Sequence, residues 1–373
     1  MTLQIRGADV SMTAEVESLG GRYEGGRDLF EVLAEHGVNL ARLRVWVDPY
    51  SEAGEPYLGG TNDLDTTLSL ARRARAAGLD LMIDLHYSDF WCDPKKQSLP
   101  KAWRGLSFEQ VADAVAAHTA QVLATVREEL GAAEWVQIGN ETTNGMLWPH
   151  GQTPKYDLES RSFASASDAQ WRASFDALGR LLQSGADAAR AASADSRLIL
   201  HLDAGGADDL YERWFGEIMD RNVDFDAVGL SYYPLWHGSF DDLATNMAKV
   251  TRACGKDAIV VETAYAHRPD NPGATSMFDA EAARRFGYDA SVEGQAAFLT
   301  ELGRVIAQVP DGRGLGAVYW EPAWLPVDGT TWASRAGMEY GDDIAEPGNG
   351  WANQGLFDFE GRALASLDAL GRM

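Results

Sequence analysis

The stretch Trp135-Val-Gln-Ile-Gly-Asn-Glu141 has the pattern of a buried strand that ends on a polar pair, Asn140 and Glu141. A second stretch, Ala258-Ile-Val-Val-Glu-Thr-Ala-Tyr265, is again rich in β-branched residues and carries Glu262 near its end. A lone glutamate at a strand end can simply cap the segment that follows. Two buried strands that present carboxylates at the same end of a sheet supply the acid and the nucleophile or base that cleavage of a glycosidic bond requires.

Eight strand-like runs alternate with eight segments of helical period along the whole chain. The predicted strands are Ile5–Ser11, Asn39–Val47, Leu79–Tyr87, Trp135–Glu141, Arg197–Asp203, Ala227–Tyr233, Ala258–Tyr265 and Leu315–Glu321. The predicted helices are Arg27–His36, Leu64–Ala77, Phe108–Leu130, Asp168–Ala192, Ala207–Arg221, Phe240–Cys254, Ser291–Val309 and Ala363–Leu370. This order favours an α/β fold of the (β/α)8 TIM barrel type over an open doubly wound sheet. No break in composition marks a second domain, so residues 1–373 are expected to form a single catalytic domain.

The predicted connections differ in length according to their direction. Helix-to-strand connections are short, as in Ala77-Gly-Leu-Asp80, whereas strand-to-helix connections such as Thr142–Ser167 and Pro322–Arg362 are long and rich in tryptophan and glycine. In a TIM barrel the strand-to-helix loops build the active-site face. We therefore expect these long loops to form the substrate cleft.

Composition limits the classes of partner. The formal net charge of −24 repels nucleic acid and anionic membrane surfaces, but it has little effect on a neutral ligand. No apolar run approaches the ~20 residues that span a bilayer. Twelve tryptophans and twelve tyrosines offer aromatic faces that suit an uncharged sugar ring. The expected partner is thus a neutral carbohydrate, with no nucleic acid and no membrane; the sequence does not indicate an oligomeric state.

The chain starts Met1-Thr-Leu-Gln-Ile5 and continues directly into the first predicted strand, without a basic or apolar leader. As written, the sequence predicts a cytoplasmic protein. A mature domain placed behind a start methionine would look the same, and the natural protein would then be secreted.

Further polar side chains stand at the predicted strand ends. Asp9, Arg44 and His86 end the first three strands, and the eighth ends in Trp320 and Glu321. An unpaired guanidinium within an apolar strand is costly, so Arg44 needs a carboxylate partner. We expect that partner to be Glu262, which the pairing would keep ionised.

Histidine and aspartate at two strand ends also allow a metal-dependent hydrolase. The residues concerned are Asp84, His86, His201 and Asp203. The sequence contains no His-x-His pair and no His-Glu-x-x-His run, so a catalytic metal is disfavoured.

An ordered series of motifs resembles the family 53 glycoside hydrolases, the endo-β-1,4-galactanases. The resemblance extends from residue 5 to about residue 367. The motifs are Arg6-Gly-Ala-Asp9, Leu43-Arg-Val-Trp46, His86-Tyr-Ser-Asp89, Gly139-Asn-Glu141, Gly145-Met-Leu-Trp148, Ser231-Tyr-Tyr-Pro234, Val261-Glu-Thr263, Tyr319-Trp-Glu-Pro-Ala-Trp324 and Asn353-Gln-Gly-Leu-Phe-Asp358.

The resemblance implies a retaining double displacement on β-1,4-linked galactose chains, with Glu141 as acid/base and Glu262 as nucleophile. It also implies that Asn140 bonds the 2-hydroxyl beside the reacting carbon. The implied substrate-binding shell is Arg44, His86, Asn140, Tyr233 and Trp320; of the two tyrosines on the sixth strand, Tyr233 rather than Tyr232 is expected to touch the nucleophile. Asp9, Trp91 and Trp148 are added as further substrate-binding candidates because they lie on the same rim, with Trp103, Trp236 and Trp324 as other possible platforms.

We expect no cofactor and no metal. Some bacterial members of the family carry calcium in the loop after the seventh strand, but Ala266–Gly273 is interrupted by prolines and poor in oxygen ligands. Three alternatives stay open at this point. They are a glycosidase of the same mechanism acting on another β-linked glycan such as β-glucan or β-mannan, a non-catalytic sugar-binding barrel, and the metal-dependent hydrolase.

Overall fold

Eight parallel strands close into a barrel in the structure, a computed structural model that describes residues 2–271 and 276–373. The strands are β1 Ile5–Asp9, β2 Leu40–Val45, β3 Asp80–Leu85, β4 Trp135–Ile138, β5 Arg197–Leu202, β6 Ala227–Ser231, β7 Asp257–Thr263 and β8 Gly314–Trp320. Each pairs with its neighbours in the chain, and β1 pairs with β8 to close the ring. The predicted TIM barrel is therefore confirmed.

Helices lie between the strands and in the long loops. They are α1 Thr13–Ser18, α2 Leu29–Glu35, α3 Leu64–Ala76, α4 Phe108–Leu130, α5 Asp168–Ala192, α6 Asp208–Asp220, α7 Phe240–Cys254, α8 Ala280–Phe286, α9 Val292–Ala307, α10 Arg335–Gly341 and α11 Ala365–Gly371. The long helices start where the sequence provides a cap. Ser107 begins α4 with a capping box that Gln110 completes, and Ser167 begins α5 in the same way with Gln170. No helix in the described ranges is both long and apolar enough to cross a bilayer.

The sequence predicted the eight barrel strands and the long helices, but it missed several short elements. The predicted strand Trp135–Glu141 ends at Ile138, because Gly139 at φ 78° and Glu141 at φ 46° leave the extended conformation. The short helices α1, α8 and α10 lie within loops that were predicted to be irregular. Two small hairpins occupy part of the loop after β4, Gly145–Met146 with Gly151–Gln152 and Tyr156–Asp157 with Ser162–Phe163.

The barrel interior changes character along its axis. Near the strand starts it is filled by one apolar cluster, which comprises Ile5, Leu40, Met82, Trp135, Ile199, Ala227, Ile259, Val261, Leu315 and Val318. Toward the strand ends the inward side chains are charged or polar: Asp9, Arg42, Arg44, Asp84, Gln137, His201 and Glu262. The apolar half is a packed plug, so a substrate can enter only from the charged end.

Candidate active site

A cavity of about 260 Å³ opens at the carboxyl ends of the strands. Its walls come from the ends of β2, β3, β4, β7 and β8 and from the loops that follow them. Seven of the ten predicted site residues line it: Arg44, His86, Trp91, Asn140, Glu141, Glu262 and Trp320. The other three, Asp9, Tyr233 and Trp148, lie outside the lining.

Glu141 follows β4 in a left-handed backbone conformation, with φ 46° and ψ 53°. Such strain in a residue other than glycine is typical of functional sites. Its Oε1 accepts a hydrogen bond from Ser231 Oγ at 2.6 Å. Burial raises the pKa of Glu141 well above its usual value, and the negative charges of Glu262 and Asp203 raise it further. These surroundings favour the protonated form, which a general acid requires.

Glu262 lies near the end of β7 and is 6% exposed. Its Oε1 lies 2.9 Å from Arg42 Nη2, and its Oε2 accepts a hydrogen bond from the Tyr233 hydroxyl at 3.1 Å. Burial raises the pKa of Glu262, while the Arg42 guanidinium acts in the opposite direction. Glu262 thus has a cation to stabilise its carboxylate, and no cation lies against Glu141 among the described residues.

Ser231 connects Glu141 with the strand next to Glu262. It is the last residue of β6 and pairs in register with Glu262 on β7, while its hydroxyl reaches Glu141. Neighbouring strands lie about 4.8 Å apart. Ser231 is therefore one strand away from Glu262 and at the same time in direct contact with Glu141.

The predicted ion pair between Arg44 and Glu262 is wrong, because Arg42 makes that contact. Arg44 Nη1 instead lies 2.6 Å from Glu321 Oε1 and 3.3 Å from Asp9 Oδ1. Both arginines point into the barrel, since alternate residues of a strand face the same side. Arg44 lies near the rim and pairs with Asp9 on the adjacent β1 and with Glu321 just beyond β8. Arg42 starts two residues deeper and spans the barrel to reach Glu262.

Three comparisons with known proteins point to the same family. The model of the family described as "Glycosyl hydrolase family 53" matches residues 5–370. The chain belongs to glycosyl hydrolase family 53. It is 33% identical to the endo-β-1,4-galactanase of Bacillus subtilis strain 168, over 97% of this chain and 84% of that protein.

Solved structures of the family superpose over almost the full length. The family 53 catalytic domain of Ignisphaera aggregans has 37% sequence identity and a TM-score of 0.86, covering 98% of this chain and 95% of that one. A fungal β-1,4-galactanase has 28% identity and a TM-score of 0.78, with full coverage of both chains.

Aromatic side chains form much of the wall of this family 53 cavity. The Arg44 guanidinium carbon stands 4.4 Å from the ring centroid of Trp91, and the rings of Trp320 and Trp351 meet edge to face at 4.7 Å. Trp324 and Trp332 also line the cavity. Trp332 and Trp351 were not predicted, since they lie farther along the loop after β8 than Trp324, which directly follows the strand.

Three other predicted tryptophans lie away from the cavity. Trp103 is buried in the core between the barrel and its helices, so its expected role as a platform is wrong. Trp148 is half-buried, and its Nε1 donates to the carbonyl of Asn144 at 2.9 Å. Trp236 is 44% exposed, outside the cavity lining.

Asp9 lies beneath the cavity floor. It is fully buried, with Oδ2 2.6 Å from Arg42 and Oδ1 accepting from Ser11 and Arg44. A carboxylate so enclosed cannot reach a substrate, which corrects its predicted substrate-binding role. It holds the two arginines in place instead.

The tyrosine in contact with Glu262 is Tyr233, as the sequence predicted. The hydroxyl of Tyr232 points the other way and donates to the carbonyl of Gly238 at 3.0 Å. Of the two tyrosines, Tyr233 is thus the one that contacts Glu262.

Histidine and aspartate at the strand ends are engaged with other partners. His86 Nε2 lies 2.8 Å from Asp84 Oδ2, and its Nδ1 accepts from Trp46 Nε1 at 3.3 Å. Asp84 also contacts Arg42 and Gln137. Within residues 2–271 and 276–373, no group of three or more His, Cys, Asp or Glu side chains is arranged to hold a metal ion. The predicted lack of calcium in the loop after β7 falls partly on residues 272–275, which lie outside the described residues.

Proposed function

We propose that this chain is a retaining endo-β-1,4-galactanase, which cleaves β-1,4-galactosidic bonds in galactan or galacto-oligosaccharides as one catalytic domain over residues 1–373. The observation that carries the proposal is the pair of carboxyl groups in one family 53 cavity, one with a cationic partner and one without. The galactanase name of the Bacillus subtilis relative, which matches 97% of this chain, supports the substrate.

In the first step, the carboxylate of Glu262 attacks the anomeric carbon while Glu141 gives its proton to the departing glycosidic oxygen. A covalent galactosyl-enzyme results, and the shortened chain leaves. In the second step, Glu141 accepts a proton from water, which attacks the same carbon and releases Glu262. Two displacements restore the β configuration.

The other lining residues bind and position the sugar. Asn140 has one amide hydrogen on the carbonyl of Cys92, at 2.9 Å, and the second can serve the 2-hydroxyl of the reacting sugar. His86 and Arg44 offer polar contacts, and Trp91 and Trp320 offer apolar faces for the rings. A cavity with tryptophan walls suits a neutral sugar in a strongly acidic protein.

The test is a product profile on purified polysaccharides. The protein should release a ladder of galacto-oligosaccharides from linear β-1,4-galactan, with no release from β-glucan or β-mannan, and EDTA should not lower the rate. Release from β-glucan or β-mannan instead would move the proposal to another glycan. Binding without release from any of them would favour a sugar-binding barrel, and loss of activity in EDTA that a divalent ion restores would favour a metal-dependent hydrolase.

A further inference from the structure

Two buried side chains behind Glu141 have no part in the steps above. Ser231 ends β6 and His201 lies on β5, and both are inaccessible to solvent. His201 Nε2 stands 2.8 Å from Ser231 Oγ, which in turn stands 2.6 Å from Glu141 Oε1. The three groups form a continuous chain of hydrogen bonds from the barrel interior to the acid.

The direction of these hydrogen bonds follows from the ring of His201. Burial, reinforced by the nearby Arg42 guanidinium, lowers the pKa of His201 well below its usual value, so the ring is neutral and carries one proton. Nδ1 faces two donors, the Gln137 amide at 3.1 Å and the backbone N–H of Glu141 at 3.4 Å. That backbone group has no other hydrogen-bond partner among the described residues, and leaving it unpaired inside the protein is costly. Nδ1 therefore accepts, and the ring proton is on Nε2.

The Asn140 amide oxygen also approaches Nδ1, at 3.0 Å. It accepts from Arg42 Nη2 at 3.0 Å, and so does not need the ring proton. With the ring proton on Nε2, Ser231 Oγ accepts from His201 and must direct its own proton to Glu141 Oε1.

We propose that Ser231, held by His201, is a positioning residue that occupies Oε1 of Glu141 and thereby keeps the catalytic proton on Oε2. A carboxylic acid whose proton sits on either oxygen donates productively only part of the time. A hydroxyl fixed on one oxygen removes that ambiguity, both when Glu141 gives its proton and when it takes one from water. The inference rests on the proposed role of Glu141 as acid/base.

Several charged or titratable groups surround these hydrogen bonds. Glu262, Asp203 and Asp93 face Glu141 from β7, from the end of β5 and from the loop after β3, and each disfavours its ionised form. Arg42, His86 and His237 act on His201. The Ser231 hydrogen bond acts in the opposite direction and stabilises the carboxylate of Glu141.

The experiment compares Ser231→Ala with Ser231→Thr, which keeps the hydroxyl. Removing a hydrogen-bond donor to the Glu141 carboxylate favours the protonated form and so raises the pKa of Glu141. In Ser231→Ala, the alkaline limb of the pH profile of kcat/KM on galactan should therefore move to higher pH, by up to about one pH unit. Because Glu141 then holds its proton on either oxygen, kcat at the optimum should fall roughly tenfold. Ser231→Thr should restore both. Thr251→Val removes a buried hydroxyl that serves only its own helix, and it should leave the pH profile unchanged.

A limb that stays in place in Ser231→Ala would overturn the proposal. A limb that moves to lower pH would also overturn it, because Glu141 would then donate its hydrogen bond to Ser231, and Ser231 would donate to His201. A merely structural serine would lower kcat without moving the limb. If wild-type protein does not cleave galactan, the proposed function fails before this comparison is reached.

Discussion

Glu141 and Glu262 face the same cavity, but their partners differ in charge. Glu262 has a guanidinium and a phenol, from Arg42 and Tyr233, whereas the side-chain partner of Glu141 among the described residues is the hydroxyl of Ser231. Burial raises the pKa of both groups, and the Arg42 guanidinium opposes the rise at Glu262. These different surroundings suit the two glutamates to the different roles proposed for them, and each role can be tested by altering one partner.

The largest effect is expected for the nucleophile. Glu262→Ala should lower kcat by at least about 10⁴-fold on galactan and on aryl galactosides alike, since no substrate can bypass bond formation to the anomeric carbon. Azide should restore part of the activity and give the α-galactosyl azide, because the anion replaces the carboxylate in a single displacement. A variant that keeps a few per cent of wild-type kcat would contradict the role.

The effect of removing the acid on the rate should depend on the leaving group of the substrate. Glu141→Ala should lower kcat on galactan by roughly 10²- to 10⁴-fold, since the departing sugar needs a proton. With an activated aryl galactoside the first step should stay fast, and the galactosyl-enzyme should accumulate as a burst in stopped-flow. Azide should then give the β product. Equal losses on both substrates would place Glu141 outside acid/base catalysis.

The cation beside Glu262 can be weakened without removing its charge. Arg42→Lys loses the planar fork, and kcat/KM should fall roughly 10- to 100-fold. Glu262 attacks only when ionised, and a weaker partner raises its pKa, so the acidic limb of kcat/KM should shift to higher pH. Arg44→Lys is the matched control, because Arg44 pairs with Glu321 and Asp9 rather than with Glu262. The acidic limb of its pH profile should stay in place, whatever the change in KM. An equal shift in both variants would mean that the limb does not report Glu262.

The smallest effect separates two tryptophans. Trp91→Ala removes a ring of the cavity wall and should raise KM for galactotetraose about fivefold. Trp148→Ala, outside the lining, should stay within about twofold of wild type in KM. The reverse order, measured by initial rates over a range of substrate concentrations, would place the sugar-binding surface toward the loop after β4.

The barrel was predictable because strand and helix periods are local signals. The segments Phe108–Leu130, Asp168–Ala192 and Phe240–Cys254 were predicted with their observed bounds. Glu141 and Glu262 were found for the same reason, as carboxylates that interrupt apolar strands at their ends.

The contacts between strands were less predictable. Period-two alternation places Arg42 and Arg44 on the same face of β2, and that signal alone does not tell which one reaches a carboxylate across the ring. Ser231 was read only as part of a motif, since a serine at a strand end has no distinctive pattern. Trp332 and Trp351 belong to a long loop whose path depends on packing against distant residues.

The division of roles between Glu141 and Glu262 is tested most directly by trapping the covalent intermediate. An aryl 2-deoxy-2-fluoro-β-galactoside should inactivate the protein with time, because the fluorine slows the second step more than the activated first one. Peptide mass mapping should then find one fluorogalactosyl group on Glu262 and none on Glu141. A label on Glu141, or rapid turnover of galactan by a protein that such reagents never label, would contradict the assignment.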